Sequence, residues 1–463
     1  MAIVATTEWD VRTTGNDNNG GGFDPAASGT DYSTQDSPQV VFTDLVIGVT
    51  NTQLTSALNP FTSAHVGNII NITSGTGFTA ARYQVSSVSG STATMDRAVG
   101  TAGSTGGHGN LGGAMLTVLN TKIILVASGG VIHVKSGTYT FTTTQGWRTG
   151  FIGGYSIIGY QTSHYDNGTK PLFTTATNST PLVSIGNLTF VIRNCSFSNT
   201  AAVRASGMVF IGGTQNPTWT FIDCIFDGFT LALDGSTQDA VAGINCIRCE
   251  IKNCTTGAIA STLTSSAVLN GNIRVIDSYI HDNTGYGILN SIGGYVDVSG
   301  SLIVNNTLQG ISITTTAADV RIVRSTIANN GGDGVASSIA LNTLILSSSI
   351  FYGNGGWGVN KPSPKLPVMI GQANAFGSNT SGNRNNVSAG IGDVSLSADP
   401  FTNSAGRNYA LNSTAGGGTA CKGAGYPGTF PGAVSVGHLD IGAVQTTGSG
   451  GSGSGGGSFA FIG

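Results

Sequence analysis

Charge is scarce in this chain. Lys and Arg number 19 and Asp and Glu 22 among 463 residues, so charged residues make up 9%, against about 25% in ordinary globular domains. Only two glutamates occur, Glu8 and Glu250. A net charge of −3 leaves no basic excess, which excludes nucleic acid as a partner. No apolar run reaches the ~18 residues of a membrane span. The opening residues, MAIVATTEWDVR, have neither a basic n-region nor an apolar h-region, so no secretory signal is read. Little charge together with 71 glycines would fit disorder, but 39% of the residues are hydrophobic, and they recur in register. That combination points to an ordered, turn-rich all-β protein.

Composition divides the chain. Residues 1–35 are rich in Gly, Asn and Asp, with GNDNNGGG at 15–22, and read as an extended arm. Residues 36–112 carry alternating patterns such as NIINI at 68–72 and YQVSSV at 83–88, expected of a small separate β domain. Residues 116–127, LTVLNTKIILVA, have helical spacing without Gly or Pro, and a short capping helix is expected within 113–128. Residues 446–463 are Gly/Ser-rich with an apolar end at Phe459 and Phe461, a flexible tail by composition.

Between these lies a repeat. SYIHDN at 278–283 aligns with SLIVNN at 301–306, STIANN at 325–330 and SIFYGN at 349–354. Four residues after each final Asn stands a glycine (Gly287, Gly310, Gly334, Gly358), followed by Ile288, Ile311, Val335 and Val359. Three residues before each Ser stand Val275, Val298, Ile322 and Leu346. CEIKNC at 249–254, CIFDGF at 224–229 and CSFSNT at 195–200 fit the same template. A period near 24 with β-branched alternation is a solenoid signature, because one turn cannot bury its own apolar face. Ile280, Ile303, Ile327 and Phe351 should stack inward. Asn283, Asn306, Asn330 and Asn354 should form a ladder of side-chain amides. The repeated glycine is expected to supply a backbone angle that other residues resist.

The segment GGVIHVKSGTY at 129–139, preceded by the expected helix, resembles the first turn of the pectin-lyase-like right-handed β-helices. DPF at 399–401, YAL at 409–411 and DIGA at 440–443 resemble the closing segment of bacterial and phage β-helix proteins. The resemblance covers about 113–445 and implies a right-handed parallel β-helix over 129–445. It does not imply an activity, because that fold hosts lyases, hydrolases, adhesins and inert spikes. Pectic hydrolases of the family use an adjacent aspartate pair and Gly-His-Gly. No Asp-Asp pair occurs here, and the one Gly107-His108-Gly109 precedes the solenoid.

Candidate chemistry is confined to one outward face. The column before the Ser/Cys slot reads Asn194, Asp223, Arg248, Asp277, Gly300, Arg324. Other outward columns add Asp227, Glu250, Lys252, Tyr279 and His281. Asp223 and Asp277 stand two coils apart, ~9.6 Å by strand spacing, near the upper limit for an inverting carboxylate pair. Arg248 lies between them. A stacked salt-bridge ladder and a glycan-binding patch are both open readings; no catalytic residue is assigned. The cysteines 195, 224, 246, 249, 254 and 421 are expected in the core, since CIRC at 246–249 with Cys254 has no fourth ligand at zinc spacing. No metal or cofactor is expected, and His133 is read as packing or solvent-facing.

The absent export signal and the resemblance together imply a phage virion protein on the particle surface: a spike, fibre or capsid-decorating protein. Other virion proteins would be its partners, a homotrimer its assembly, and host surface polysaccharide a ligand. The alternatives are a polysaccharide depolymerase and a bacterial surface adhesin.

Overall fold

The computed structural model describes residues 3–118, 130–147, 154–176, 182–185, 189–210, 218–235, 243–261, 272–291, 294–314, 318–338, 341, 343–361, 368–425 and 439–445. The helix expected over 116–127 falls outside these beyond residue 118, as does the Gly/Ser-rich tail with Phe459 and Phe461. The chain forms two compact units, one of Met1–Thr175 with Val183–Phe197 and the other of Ala176–Leu182 with Ser198–Gly463.

In the first unit six strands close into an antiparallel barrel. Round the ring they run Val40–Ile47, Gln53–Thr55, Thr92–Met95, Ala81–Ser89, Ile69–Ser74 and Gly107–Leu111. A register shift between Phe42 and Leu45 breaks the period of two and lets both side chains face inward. With Ile70, Ile72, Tyr83, Val85 and Leu111 they form a core that water does not reach, each large side chain contributing about 1.5–3 kcal/mol. Arg82 is buried and donates to the carbonyls of Asp17, Asn19 and Gly20, so the stretch GNDNNGGG is pinned to the barrel wall.

The same unit holds parallel strands of the solenoid. Within the stretch read as an extended arm, Glu8–Val11 pairs in parallel with Gly130–Lys135, setting Trp9 beside Ile132 and Asp10 beside His133. Gly130–Lys135 pairs in turn with Tyr155–Tyr160, which pairs with Phe190–Arg193. Trp9, Ile132, Ile157 and Ile192 are buried on one side of this sheet, and Glu8, Asp10 and His133 alternate to the other.

In the second unit each turn of the right-handed β-helix adds one strand to each of three parallel sheets. The register is in step: Ile280 lies beside Ile303, Ile327 and Phe351 in the second sheet, and Ile288 beside Ile311 and Val335 in the third. Asn283 donates from Nδ2 to Oδ1 of Asn306 at 2.8 Å, Asn306 to Asn330 at 2.9 Å, Asn330 to Asn354 at 3.0 Å and Asn354 to Asn379 at 2.9 Å. A second ladder runs through the hydroxyls: the amide N–H of Ser278 donates to Ser301 Oγ, Ser301 to Ser325 Oγ, and Ser325 to Ser349 Oγ. In earlier turns of this unit Cys224 and Cys249 take that slot, buried, each sulfur against a backbone carbonyl; Cys195, in the first unit, is buried in the same way.

The glycine slot works differently from the sequence expectation. None of Gly287, Gly310, Gly334 and Gly358 has a positive φ. A Cβ on Gly310 would instead lie 2.7 Å from the Gly334 carbonyl oxygen and 2.9 Å from the Asn330 amide nitrogen. The position is glycine because successive turns approach there too closely for any side chain. The left-handed angles belong to two other columns: Asp223, Arg248, Asp277, Arg324 and Ser348 at one corner, and Asn253, Asp282, Asn305 and Asn329 at the next, with φ between 47° and 56°. Asn and Asp tolerate that region; Arg does so under strain.

The C-terminal stretch folds back over the outer side of the second sheet. Its hairpin, Phe401–Asn403 with Asn408–Leu411, and the short helix Gly418–Cys421 bring Phe401, Tyr409, Leu411, Cys421 and Ile441 onto Tyr279, Leu302, Val304, Ala328, Ile350 and Ala375. Outward Leu302, Val304, Ala328 and Ile350 of this sheet are apolar because they are covered.

Candidate functional site

Of the eight residues of the expected charged face, Asp227, Glu250, Lys252, Tyr279 and His281 lie on three adjacent strands of the second sheet, and Asp223, Arg248 and Asp277 stand at one left-handed corner. Asp223 and Arg248 make a two-pronged pair, Nε to Oδ1 at 2.7 Å and a terminal nitrogen to Oδ2 at 2.8 Å. That bond is the main cause raising the arginine's pKa, and Asp277 adds attraction from the next turn. All three stand at the left-handed corner, so their side chains are placed by the turn of the backbone. Asp227 accepts from the Asn253 amide at 2.7 Å. Glu250 takes Lys252 at 2.9 Å and His281 at 3.1 Å on the same oxygen. Its pKa falls to about 2, first through the bond to His281.

Tyr279 and His281 are corrected most. Both alternate outward, yet they are 6% and 4% exposed, because the C-terminal segment roofs them. Their rings stack at 3.7 Å. The imidazole bridges Glu250 and Asp282, and Asp282 also receives Arg407 of the roof at 2.9 Å. Burial pushes the Tyr279 phenol above its ordinary pKa. These residues fasten the closing segment to the sheet and have no free face for a glycan.

Open surface lies on the first sheet instead. Tyr295, Asp297, Asp319, Arg321, Thr343 and Ile345 line a shallow groove of about 280 Å³. Tyr295 is 41% exposed, and Arg321 pairs with Asp297 at 2.7 Å.

A further group, in the first unit, was missed by sequence reasoning. His133 is fully buried, which fits the packing alternative of the sequence reading and excludes the solvent-facing one. Its Nε2 lies 2.8 Å from Glu8 Oε2, and its ring stacks on His164 at 3.7 Å, 6° from parallel. His164 Nδ1 is 3.8 Å from the same glutamate oxygen, and its Nε2 is 2.8 Å from Asp10 Oδ2. Asp10 also takes Arg12 at 2.8 Å and the Tyr160 hydroxyl at 2.6 Å, while Tyr165 donates to Glu8 Oε1 at 2.8 Å. His164 and Tyr165 sit on a loop held by Asp166, whose carboxylate accepts four backbone N–H groups, from Gln161, Thr162, Ser163 and Gly168. Those bonds depress the Asp166 pKa strongly. Burial lowers the His133 pKa, and the bond to His133 lowers that of Glu8. The expectation of no metal weighed the cysteines, which are buried. It did not weigh these side chains, whose donor atoms lie within 4.8 Å of one another. The pairing of Glu8–Val11 with Gly130–Lys135 brings Glu8 and His133 together, the loop held by Asp166 adds His164, and nothing in the local sequence announces it.

Residues 206–387 match the family described as right handed beta helix region, in agreement with the in-register parallel turns of the second unit. No curated protein matches the chain significantly.

Proposed function

We propose that this protein is a structural component of a phage particle, displayed at its surface, with a non-catalytic β-helix. The β-helix fold is compatible with surface and polysaccharide-binding proteins. The observation that carries the structural reading is how the carboxylates of the solenoid are used. Asp223 is held by Arg248, Glu250 by Lys252 and His281, Asp282 by His281 and Arg407, and Asp297 by Arg321. A glycoside hydrolase needs one carboxyl kept protonated near neutral pH beside one ionised. Glu250 goes the other way, ionised down to about pH 2. The charged groups join turn to turn and fasten the closing segment, as a durable surface protein requires.

The barrel is the proposed attachment module. Its exposed apolar side chains Val41, Val49 and Leu58 are the contacts expected with neighbouring virion proteins. A homotrimer follows from the family resemblance alone and is measured by light scattering.

Non-catalytic glycan contact is a second reading, favoured by the groove with exposed Tyr295 beside Asp297 and Arg321. Tyrosine offers an apolar face and a polar tip, suited to a sugar ring. The test of the main reading is incubation with bacterial capsular polysaccharides and lipopolysaccharides, followed by assay of reducing and unsaturated sugar ends. No release is expected. Release abolished by Asp277→Ala or Glu250→Ala overturns the structural reading in favour of a depolymerase.

A further inference from the structure

We propose that Glu8, His133 and His164 bind one divalent transition-metal cation of the zinc class, joining the N-terminal strand to the strand Gly130–Lys135 and the loop that follows Tyr160. Two imidazolium rings stacked at 3.7 Å would repel, so at least one histidine is neutral and offers a nitrogen lone pair. His164 Nε2 faces the Asp10 carboxylate at 2.8 Å and donates its proton there. Nδ1, on the Glu8 side, is left as the ligand atom. A carboxylate behind a ligating histidine is the usual device that fixes its tautomer and raises its basicity. Asp10 is itself fixed by Arg12 and Tyr160, and Tyr165 orients Glu8 in the same manner.

The three donor atoms lie within 4.8 Å of one another, so small shifts would gather them round one cation. Ligand atoms about 2.0–2.2 Å from a tetrahedral metal stand roughly 3.4 Å apart. Here Glu8 Oε2 is 2.8 Å from His133 Nε2 and 3.8 Å from His164 Nδ1. The parallel rings must tilt for their lone pairs to converge. His164 is the ring that moves, since it rides on the loop with 18% of its side chain exposed while His133 has none. Two imidazoles and one carboxylate are the donor set of zinc-class cations rather than of calcium or magnesium, which take oxygen. The partial exposure of Glu8 and His164 leaves a fourth position for water.

His133 Nδ1 is buried without a hydrogen-bond partner, so Nε2, on the Glu8 side, is the nitrogen through which this ring would bind the cation.

The test is calorimetric titration of the full chain with zinc chloride, alongside thermal unfolding with and without zinc. One equivalent is expected to bind and to raise the melting temperature, with affinity falling in acid as the ligands protonate. His164→Ala and Glu8→Gln should each weaken binding at least about tenfold, and Asp10→Asn by about 10–100-fold. His164 lies on a loop, so its variant stays folded by circular dichroism if the strands fail to tolerate the others. Absence of binding by the unaltered chain overturns the proposal, as does binding unchanged in His164→Ala and Glu8→Gln.

Discussion

At the residue scale, two kinds of position carry the turn, and they respond oppositely to substitution. Asn306 links Asn283 to Asn330 through its amide and is 1% exposed. Asn306→Ala should cost about 1–3 kcal/mol by leaving buried partners unmatched. Ser301 donates to the Val275 and Ser299 carbonyls and accepts from the Ser278 amide. Its loss should cost about 1 kcal/mol, since a neutral bond is removed and alanine still packs. Gly310→Ala should destabilise by more than either, because the Gly334 carbonyl has no room to withdraw. Arg324→Gly should be neutral or stabilising by up to about 1 kcal/mol, as it relieves a left-handed angle. Chemical denaturation of the four variants tests the set; a harmless Asn306→Ala would contradict the ladder's energetic role.

The inward stack and the amide ladder were legible because every turn repeats the same wall. The reason for the glycine was not: closeness between turns and a positive φ leave the same residue in the sequence. Nor was the histidine group legible. Glu8 and His133 lie 125 residues apart, and no periodicity links a strand placed before the barrel to one placed after it.

At the element scale, the closing segment explains why outward positions of the second sheet misled. Alternation reports which side of a strand a residue faces, not whether water is on that side. Tyr279 alternates outward and is nevertheless buried with Phe401 and Tyr409, and His281, stacked on it, is buried as well. Tyr409→Ala should cost about 3–5 kcal/mol, the range for large aromatic truncations in a core, and should expose Tyr279 to solvent quenching of its fluorescence. The fastening also depends on pH. The Glu250 pKa is lowered from 4.5 to about 2, so its contribution is complete above pH ~4.5 and is lost as pH falls towards 2. Melting temperature measured from pH 6 to 2 should fall less steeply in Glu250→Gln than in the unaltered chain. Equal slopes would remove Glu250 from the account.

At the scale of the whole molecule, the proposed function assigns attachment and display to different parts of the chain. Deleting residues 1–112 is a poor test of attachment, because it also strips Glu8–Val11 from its partner strand. Replacing the exposed Val41, Val49 and Leu58 with aspartate leaves the barrel core untouched and should abolish incorporation into particles while the protein remains folded. The central claim, a structural protein on a phage surface, is tested most directly by immunogold electron microscopy of purified particles, using antibody raised against the full chain. Regular gold labelling on the particle surface is the result the account predicts. Bare particles, with the label confined to the bacterial envelope, would contradict it and favour an adhesin.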